Sequence, residues 1–285
     1  MKKITITNPN GTISCFEAMP AGAADAGGVA NAAGDAAGDA AGDAEPTAVV
    51  IVIHGFGSCK ESPTAQMMLE ALPPEGYGAV GLDLPGHGTE ESYETPLSIE
   101  TCLDTIESVE SYLIEKYDFP RIFYFASSFG AYLTLLYLAG RRHTGDKAFL
   151  RSAAVNMPQL FDEKKTTLEG FPSAFSETID RDGYIMVNDA GPAPVKVTRE
   201  LVDGLAANDL FSVIPAAIDD GVFDGVDLEM IHGEKDETID PAGALRFAAI
   251  CDIPITVLEG EDHTLSTDPG SPKKVCAAAI EFFRE

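Results

Sequence analysis

Two serines stand where an apolar run meets a second apolar segment, in Phe123-Tyr124-Phe125-Ala126-Ser127-Ser128-Phe129-Gly130-Ala131-Tyr132. A buried strand that passes straight into a helix has to turn tightly, and the turn needs small residues on either side of its apex. Ser128 meets that need, with Ala126 before it and Gly130 after it. Ser127 at the apex would put Phe125 and Phe129 at the two small-residue positions, so Ser128 is the stronger candidate nucleophile. Its hydroxyl would stand at the N-terminus of the following helix, where free N–H groups and the helix dipole favour developing negative charge. Taken alone, the segment is equally an ordinary strand-to-helix turn with an N-capping serine.

Other segments shift the balance. His54-Gly55-Phe56-Gly57 follows directly on the β-branched run Ala48–Ile53, and Asp83-Leu84-Pro85-Gly86-His87-Gly88 follows the short run Gly78–Leu82. In this order, and together with the serine turn, these motifs resemble the α/β-hydrolase family, in which a nucleophile elbow G-x-S-x-G is preceded by an HG loop. Ala126 in place of the first glycine is a mild departure that adds one methyl group. The resemblance covers nearly the whole chain except 21–45 and, less clearly, 158–206. It implies an acid after a late strand and a histidine after the last one. Asp236, at the end of Leu228-Glu229-Met230-Ile231-His232-Gly233-Glu234-Lys235-Asp236, stands at the acid position, and His263 stands at the histidine position. It also implies an oxyanion hole from the backbone amides of Phe56 and Phe129.

The competing residues read differently. Asp240 precedes Pro241 and suits a helix N-cap with proline at the first helical position. His54 and His232 each precede a glycine at a strand end and read as buried structural hydrogen-bonders. His87 lies in a turn motif without an expected catalytic role, and His143 beside Arg141 and Arg142 reads as a solvated helix end. Asp262 is adjacent to His263 in sequence, so its side chain points away from the imidazole in most conformations.

The elements that would position these groups alternate. Strands are expected at Ala48–Ile53, Gly78–Leu82, Arg121–Phe125, Ala148–Val155, Leu228–His232 and Ile255–Glu259, and helices at about 62–72, 98–117, 129–141, 241–250 and 271–284. Continuous apolar strands between amphipathic helices predict an α/β fold, a mostly parallel central sheet with helices on both faces, and the family resemblance implies that this is the α/β-hydrolase fold with a small cap insertion. The core is expected at 1–157 and 207–285. An opening hairpin pairs Lys3–Thr7 with Thr12–Phe16 around Asn8-Pro9-Asn10-Gly11. Within the core, 21–45 is rich in Ala, Gly and Asp, with Ala-Ala-Gly-Asp three times in succession across 32–43. It has too little apolar surface to offset its ordering entropy and reads as a surface-loop insertion. The run 158–206 breaks the alternation and reads as the cap, with a hairpin of Tyr184–Val187 against Val195–Thr198. Phe161, Phe171, Phe175, Tyr184 and Met186 are candidates for an apolar acyl pocket, with the alternative that at least half form the cap's own small core.

Composition sets the outer limits. The 285-residue chain carries 46 acidic and 19 basic residues, a formal net charge of -27, which repels nucleic acid and anionic membrane. No segment approaches the ~20 apolar residues of a membrane helix, and Ile4-Thr5-Ile6-Thr7 alternates where a signal peptide would run apolar. Five scattered cysteines without metal-ligand spacing fit reduced thiols in a cytoplasmic protein. No metal or organic cofactor is expected.

The expected function is hydrolysis of a small-molecule carboxylic ester, with small to medium acyl groups, through an acyl-enzyme. The resemblance points in particular to small bacterial carboxylesterases, including feruloyl (cinnamoyl) esterases. A proline-aminopeptidase-like peptidase or a thioesterase would use the same three residues, and Glu163, Glu169, Glu177, Asp180 and Asp182 could serve a free-amine substrate. A non-catalytic binding protein on the same scaffold is the remaining alternative. The oligomeric state is not encoded in any pattern.

Overall fold

A computed structural model describes the chain except residues 22–45, 47, 119, 162–174, 188–190 and 219–220. The expected 21–45 insertion therefore lies almost wholly outside the described residues.

In chain order, the opening hairpin is β1 (Lys2–Asn8) and β2 (Gly11–Ala18), followed by β3 (Ala48–Ile53), α1 (Pro63–Ala71) and β4 (Gly78–Leu82). Next come α2 (Ile99–Lys116), β5 (Arg121–Ser127), α3 (Phe129–Gly140) and β6 (Gly145–Arg151). The stretch expected as a cap holds α4 (Met157–Leu160), α5 (Phe175–Asp182), β7 (Tyr184–Val187), β8 (Val195–Thr198) and α6 (Arg199–Ala207). The chain closes with α7 (Leu210–Val213), α8 (Pro215–Ile218), β9 (Asp227–Gly233), α9 (Pro241–Cys251), β10 (Ile255–Leu258) and α10 (Ser271–Arg284).

Eight strands form one sheet in the order β1-β2-β4-β3-β5-β6-β9-β10. From β4 to β10 every pairing is parallel, and the hairpin adds two antiparallel strands at one edge. The connection from β3 leads one way to β4 while β5 lies on its other side, so the carboxyl ends of β3 and β5 flank the crevice where ligands bind in open α/β sheets.

Strand alternation divides the core into two layers. Val49, Ile51, Ile53, Tyr124 and Ala126 face α2 and α3, and Val50, Val52, Phe123 and Phe125 face α1 and α10. Both faces are covered, which is why these strands read as unbroken apolar runs. Helix starts follow local chemistry. Ser98 Oγ accepts the Thr101 amide and Thr101 Oγ1 accepts the Ser98 amide at the start of α2. Asp240 accepts the Ala242 amide at 2.9 Å with Pro241 at the first position of α9.

Two expectations change. The strand expected over Ala148–Val155 runs instead from Gly145 to Arg151, because Ser152 turns to a φ of 47° and breaks the ladder. The hairpin in the 158–206 stretch forms with the expected pairing, Tyr184 opposite Thr198 and Val187 opposite Val195. Its inward residues Ile185, Val187, Val195 and Val197, however, are continuous with the core layer of α2 and α3 and do not form a separate core.

Candidate active site

β5 ends at Ser127, and the chain reverses at Ser128 with φ 53° and ψ −114°, outside the regions that ordinary side chains prefer. Such strain persists only where neighbours over-determine it. Here the Ser128 amide donates to the Arg151 carbonyl at 2.9 Å, and its carbonyl accepts from Ala154 at 3.2 Å and Tyr132 at 3.1 Å. Gly130 is required by close approach: a Cβ there would lie 2.5 Å from the His54 carbonyl oxygen and 2.7 Å from that of Ile53. The turn thus packs directly against the end of β3. Ser128 makes no capping bond to α3, so its hydroxyl is not used as an N-cap.

That hydroxyl meets His263 instead. Ser128 Oγ lies 3.0 Å from His263 Nε2, and His263 Nδ1 lies 2.7 Å from Asp236 Oδ2. Three residues from the ends of three strands therefore form one hydrogen-bonded line. Asp236 is buried, and its second oxygen accepts the amides of Thr238 at 2.9 Å and Ile239 at 2.8 Å. Burial alone would raise its pKa, but bonds from His232, His263 and the Ile239 amide outweigh burial and hold the carboxyl well below the usual range. With Asp236 anionic, Nδ1 carries the proton and Nε2 presents its lone pair to the serine.

His232 has a larger part than a generic buried hydrogen-bonder. It is fully buried, and its Nε2 lies 3.1 Å from both Asp236 Oδ2 and the Ile239 carbonyl. Two acceptors fix that nitrogen as the donor, so Asp236 is held by histidines on two sides. Asp262 turns away from the imidazole and accepts from the Thr264 amide at 2.8 Å.

Neither the Phe56 nor the Phe129 amide hydrogen-bonds to any group among the described residues. Phe129 opens α3, where an amide has no intrahelical acceptor. The loop that carries Phe56 is braced from beneath. His54 Nε2 accepts the Leu84 amide at 3.0 Å, Nδ1 donates to Gly55, and the buried Lys60 ammonium contacts Asp83 at 2.7 Å and Glu90 at 2.9 Å. Burial pushes the pKa of His54 down to about 4 and that of His87 down to about 3, so both are neutral near pH 7. Nothing in the sequence pattern singled out Lys60, whose partner Asp83 lies 23 positions away.

Four of the five apolar candidates lie among the described residues, and these separate. The Phe161 ring packs edge-on to Phe56 at 5.6 Å, and Phe56 in turn packs against Phe129 at 5.9 Å and His87 at 5.6 Å. Phe175 has no exposed surface and belongs to the core with Ile179. Tyr184 and Met186 are both 42% exposed, on the face of β7 opposite the inward Ile185 and Val187. The Tyr184 ring is covered by the Lys196 ammonium at 4.5 Å. Phe161 is thus linked by ring contacts to the elbow through Phe56. Phe171 lies outside the described residues. No cluster of metal-ligating side chains occurs among the described residues, and none of their helices is long and apolar enough to cross a membrane.

This sheet order, with a strained serine at the end of β5 and an HG loop at the end of β3, is that of the α/β hydrolases. A family model described as alpha/beta hydrolase fold matches residues 48–188, and the chain has the α/β-hydrolase fold. Solved structures align over nearly the whole length. Est1E from Butyrivibrio proteoclasticus, with ferulic acid bound, is 17% identical with a TM-score of 0.71, covering 99% of this chain and 100% of that one. A putative hydrolase from Agrobacterium vitis S4 is 18% identical with a TM-score of 0.69, covering 99% and 97%. The Pyrococcus furiosus esterase Pf2001 is 14% identical with a TM-score of 0.62, covering 99% and 91%. No curated protein sequence matches the chain.

Proposed function

We propose that the chain is a serine esterase that cleaves carboxylic esters of small to medium acyl groups through an acyl-enzyme. The observation that carries this reading is the continuous line Ser128–His263–Asp236, with spacings of 3.0 and 2.7 Å. Ser128 Oγ attacks the ester carbonyl carbon while His263 Nε2 takes its proton. Asp236 keeps the imidazole in the required tautomer and stabilises the imidazolium. The free amides of Phe56 and Phe129 receive the oxyanion, each worth roughly 3 kcal/mol in comparable sites. His263 then returns the proton to the departing alkoxide. A water molecule, deprotonated by the same imidazole, attacks the acyl-enzyme and releases the acid with Ser128 restored.

The segment 158–206 is assigned as the cap over this site. Two contacts support the assignment: Gly191 lies against the Gly57 carbonyl, and Tyr93 Oη donates to the Pro194 carbonyl at 2.9 Å. The aromatic group of Phe56, Phe129 and Phe161 suits an apolar or aromatic acyl chain, and the likeness to a ferulic acid-bound protein makes hydroxycinnamoyl esters worth including among the substrates tested. An aminopeptidase gains little support. Asp180 is paired with Arg199 at 2.6 Å and Asp182 with Arg181 at 2.7 Å, which leaves them poor partners for a substrate ammonium.

The test is hydrolysis of p-nitrophenyl esters from acetate to decanoate, and of methyl ferulate, by wild type and Ser128→Ala. Turnover in the wild type and its loss in the variant are expected. A folded wild type that cleaves none of these esters would remove the esterase reading.

A further inference from the structure

The strand that broke early, β6, ends on two residues that touch every member of the proposed triad or its strand. The Arg151 carbonyl accepts the Ser128 amide at 2.9 Å, and Ala154 returns a bond to the Ser128 carbonyl at 3.2 Å. Between them, Ser152 donates its amide to Ile231 of β9 at 2.8 Å, the strand that leads to Asp236. Its hydroxyl donates to the His263 carbonyl at 2.9 Å, and the Arg151 guanidinium donates to the carbonyl of Thr264. Ser152 has no exposed surface and Arg151 is 8% exposed, so water does not compete for these bonds.

The backbone of Ser152 makes its residue type informative. At φ 47° the left-handed region favours glycine, and asparagine or aspartate are the usual side chains tolerated there. Glycine would remove the strain but could not reach the His263 carbonyl. A short side chain ending in a hydroxyl does reach it, and the Ser152 hydroxyl donates to that carbonyl.

We infer that Ser152 is a positioning residue of the reaction: with Arg151 it fixes the backbone of His263 relative to Ser128, setting the 3.0 Å contact between imidazole and hydroxyl. The inference rests on the esterase reading. Ser152 touches no reacting atom. It sets the height of the histidine loop above the nucleophile turn, because one short segment holds both. A loop set free by even a fraction of an ångström would misalign Nε2 with the serine proton, and misplacement of about 1 Å costs on the order of a hundredfold in rate.

Ser152→Gly and Ser152→Ala test this, because glycine removes both hydroxyl and strain whereas alanine removes the hydroxyl alone. Three quantities are measured: kcat and KM on the best ester, the rate of Ser128 labelling by a fluorophosphonate, and the downfield proton resonance of His263 Nδ1. Both variants are expected to lose kcat and labelling rate by about tenfold to a hundredfold, with KM within about twofold of wild type. Ser152→Gly is expected to melt no lower than wild type. A purely structural role predicts instead that activity follows stability, so Ser152→Gly with wild-type kcat and labelling rate overturns the inference. If wild type itself is neither labelled nor active, the esterase reading fails and positioning is judged on the resonance. Sharp in wild type and broadened or shifted in Ser152→Gly, it supports the brace; unchanged in the variant, it overturns it.

Discussion

At the scale of single residues, the site depends on Asp236 being an anion with all its lone pairs engaged. It accepts from His263, His232, Thr238 and Ile239 at once. Asparagine is nearly isosteric but would present an amide N–H to one of these donors and favour the wrong imidazole tautomer. Asp236→Asn is therefore expected to fold and to lose roughly a thousandfold or more in kcat, which steady-state kinetics on a p-nitrophenyl ester would measure. Retention of more than a tenth of the wild-type kcat would contradict the role given to Asp236. The meeting of Ser128, Asp236 and His263 was legible in the sequence because each stands in the turn or loop that follows a strand, in a recognisable order. His232 and Ser152 were not. Their importance lies in partners supplied by other strands, and neither a buried histidine before glycine nor a serine in an apolar run carries a local mark of that.

At the scale of elements, the loops after β3 and β4 are coupled through two histidines that must stay neutral. His54 bridges from Gly55 to the Leu84 amide, and its ring lies 5.2 Å from that of His87. Their folded pKa values lie below the unfolded value of 6.5, so between these limits the unfolded chain binds more protons than the folded one. Stability is then complete above pH 6.5 and falls as the pH drops towards about 4. The shift at His54 alone corresponds to about 3 kcal/mol. Thermal melting followed from pH 7.5 to 4 should show a steep decline below pH 6.5, shallower in the double variant His54→Gln/His87→Gln. A slope unchanged by the double substitution would assign the acid sensitivity to other groups. Strand and helix positions were largely readable from apolar periodicity, β4 and α10 to the residue. β6 was misjudged because Ala153, Ala154 and Val155 continue its apolar run, while the turn at Ser152 contains no glycine or proline to announce it.

At the scale of the whole molecule, the first strand of the small sheet is followed from Gly191 by a segment that lies against the HG loop. Gly191 sits so close to the Gly57 carbonyl that any Cβ would displace one of the two. Gly191→Ala should therefore lift the proposed cap or shift the HG loop, raising KM severalfold while leaving the sheet and the melting temperature nearly unchanged. Unaltered KM and kcat in a folded variant would show that this contact has no bearing on the site. The alternation of strands and helices announced the sheet, yet its fusion with the β7–β8 hairpin through one core layer could not be read from local patterns. The joining residues Ile185, Val187, Val195 and Val197 alternate like those of any hairpin and do not name the surface they cover.

The separation of 135 positions between Ser128 and His263 also has a consequence in time. A ribosome adding about 5–20 residues per second reaches the histidine roughly 7 to 27 s after the serine. Throughout that interval the nascent chain carries the turn's sequence without the imidazole, with β9 and β10 added only late in it, and the serine remains an ordinary alcohol. On the proposed triad, reactivity arrives only once the histidine loop that follows β10 has been added, so the growing polypeptide is chemically silent across the intervening stretch.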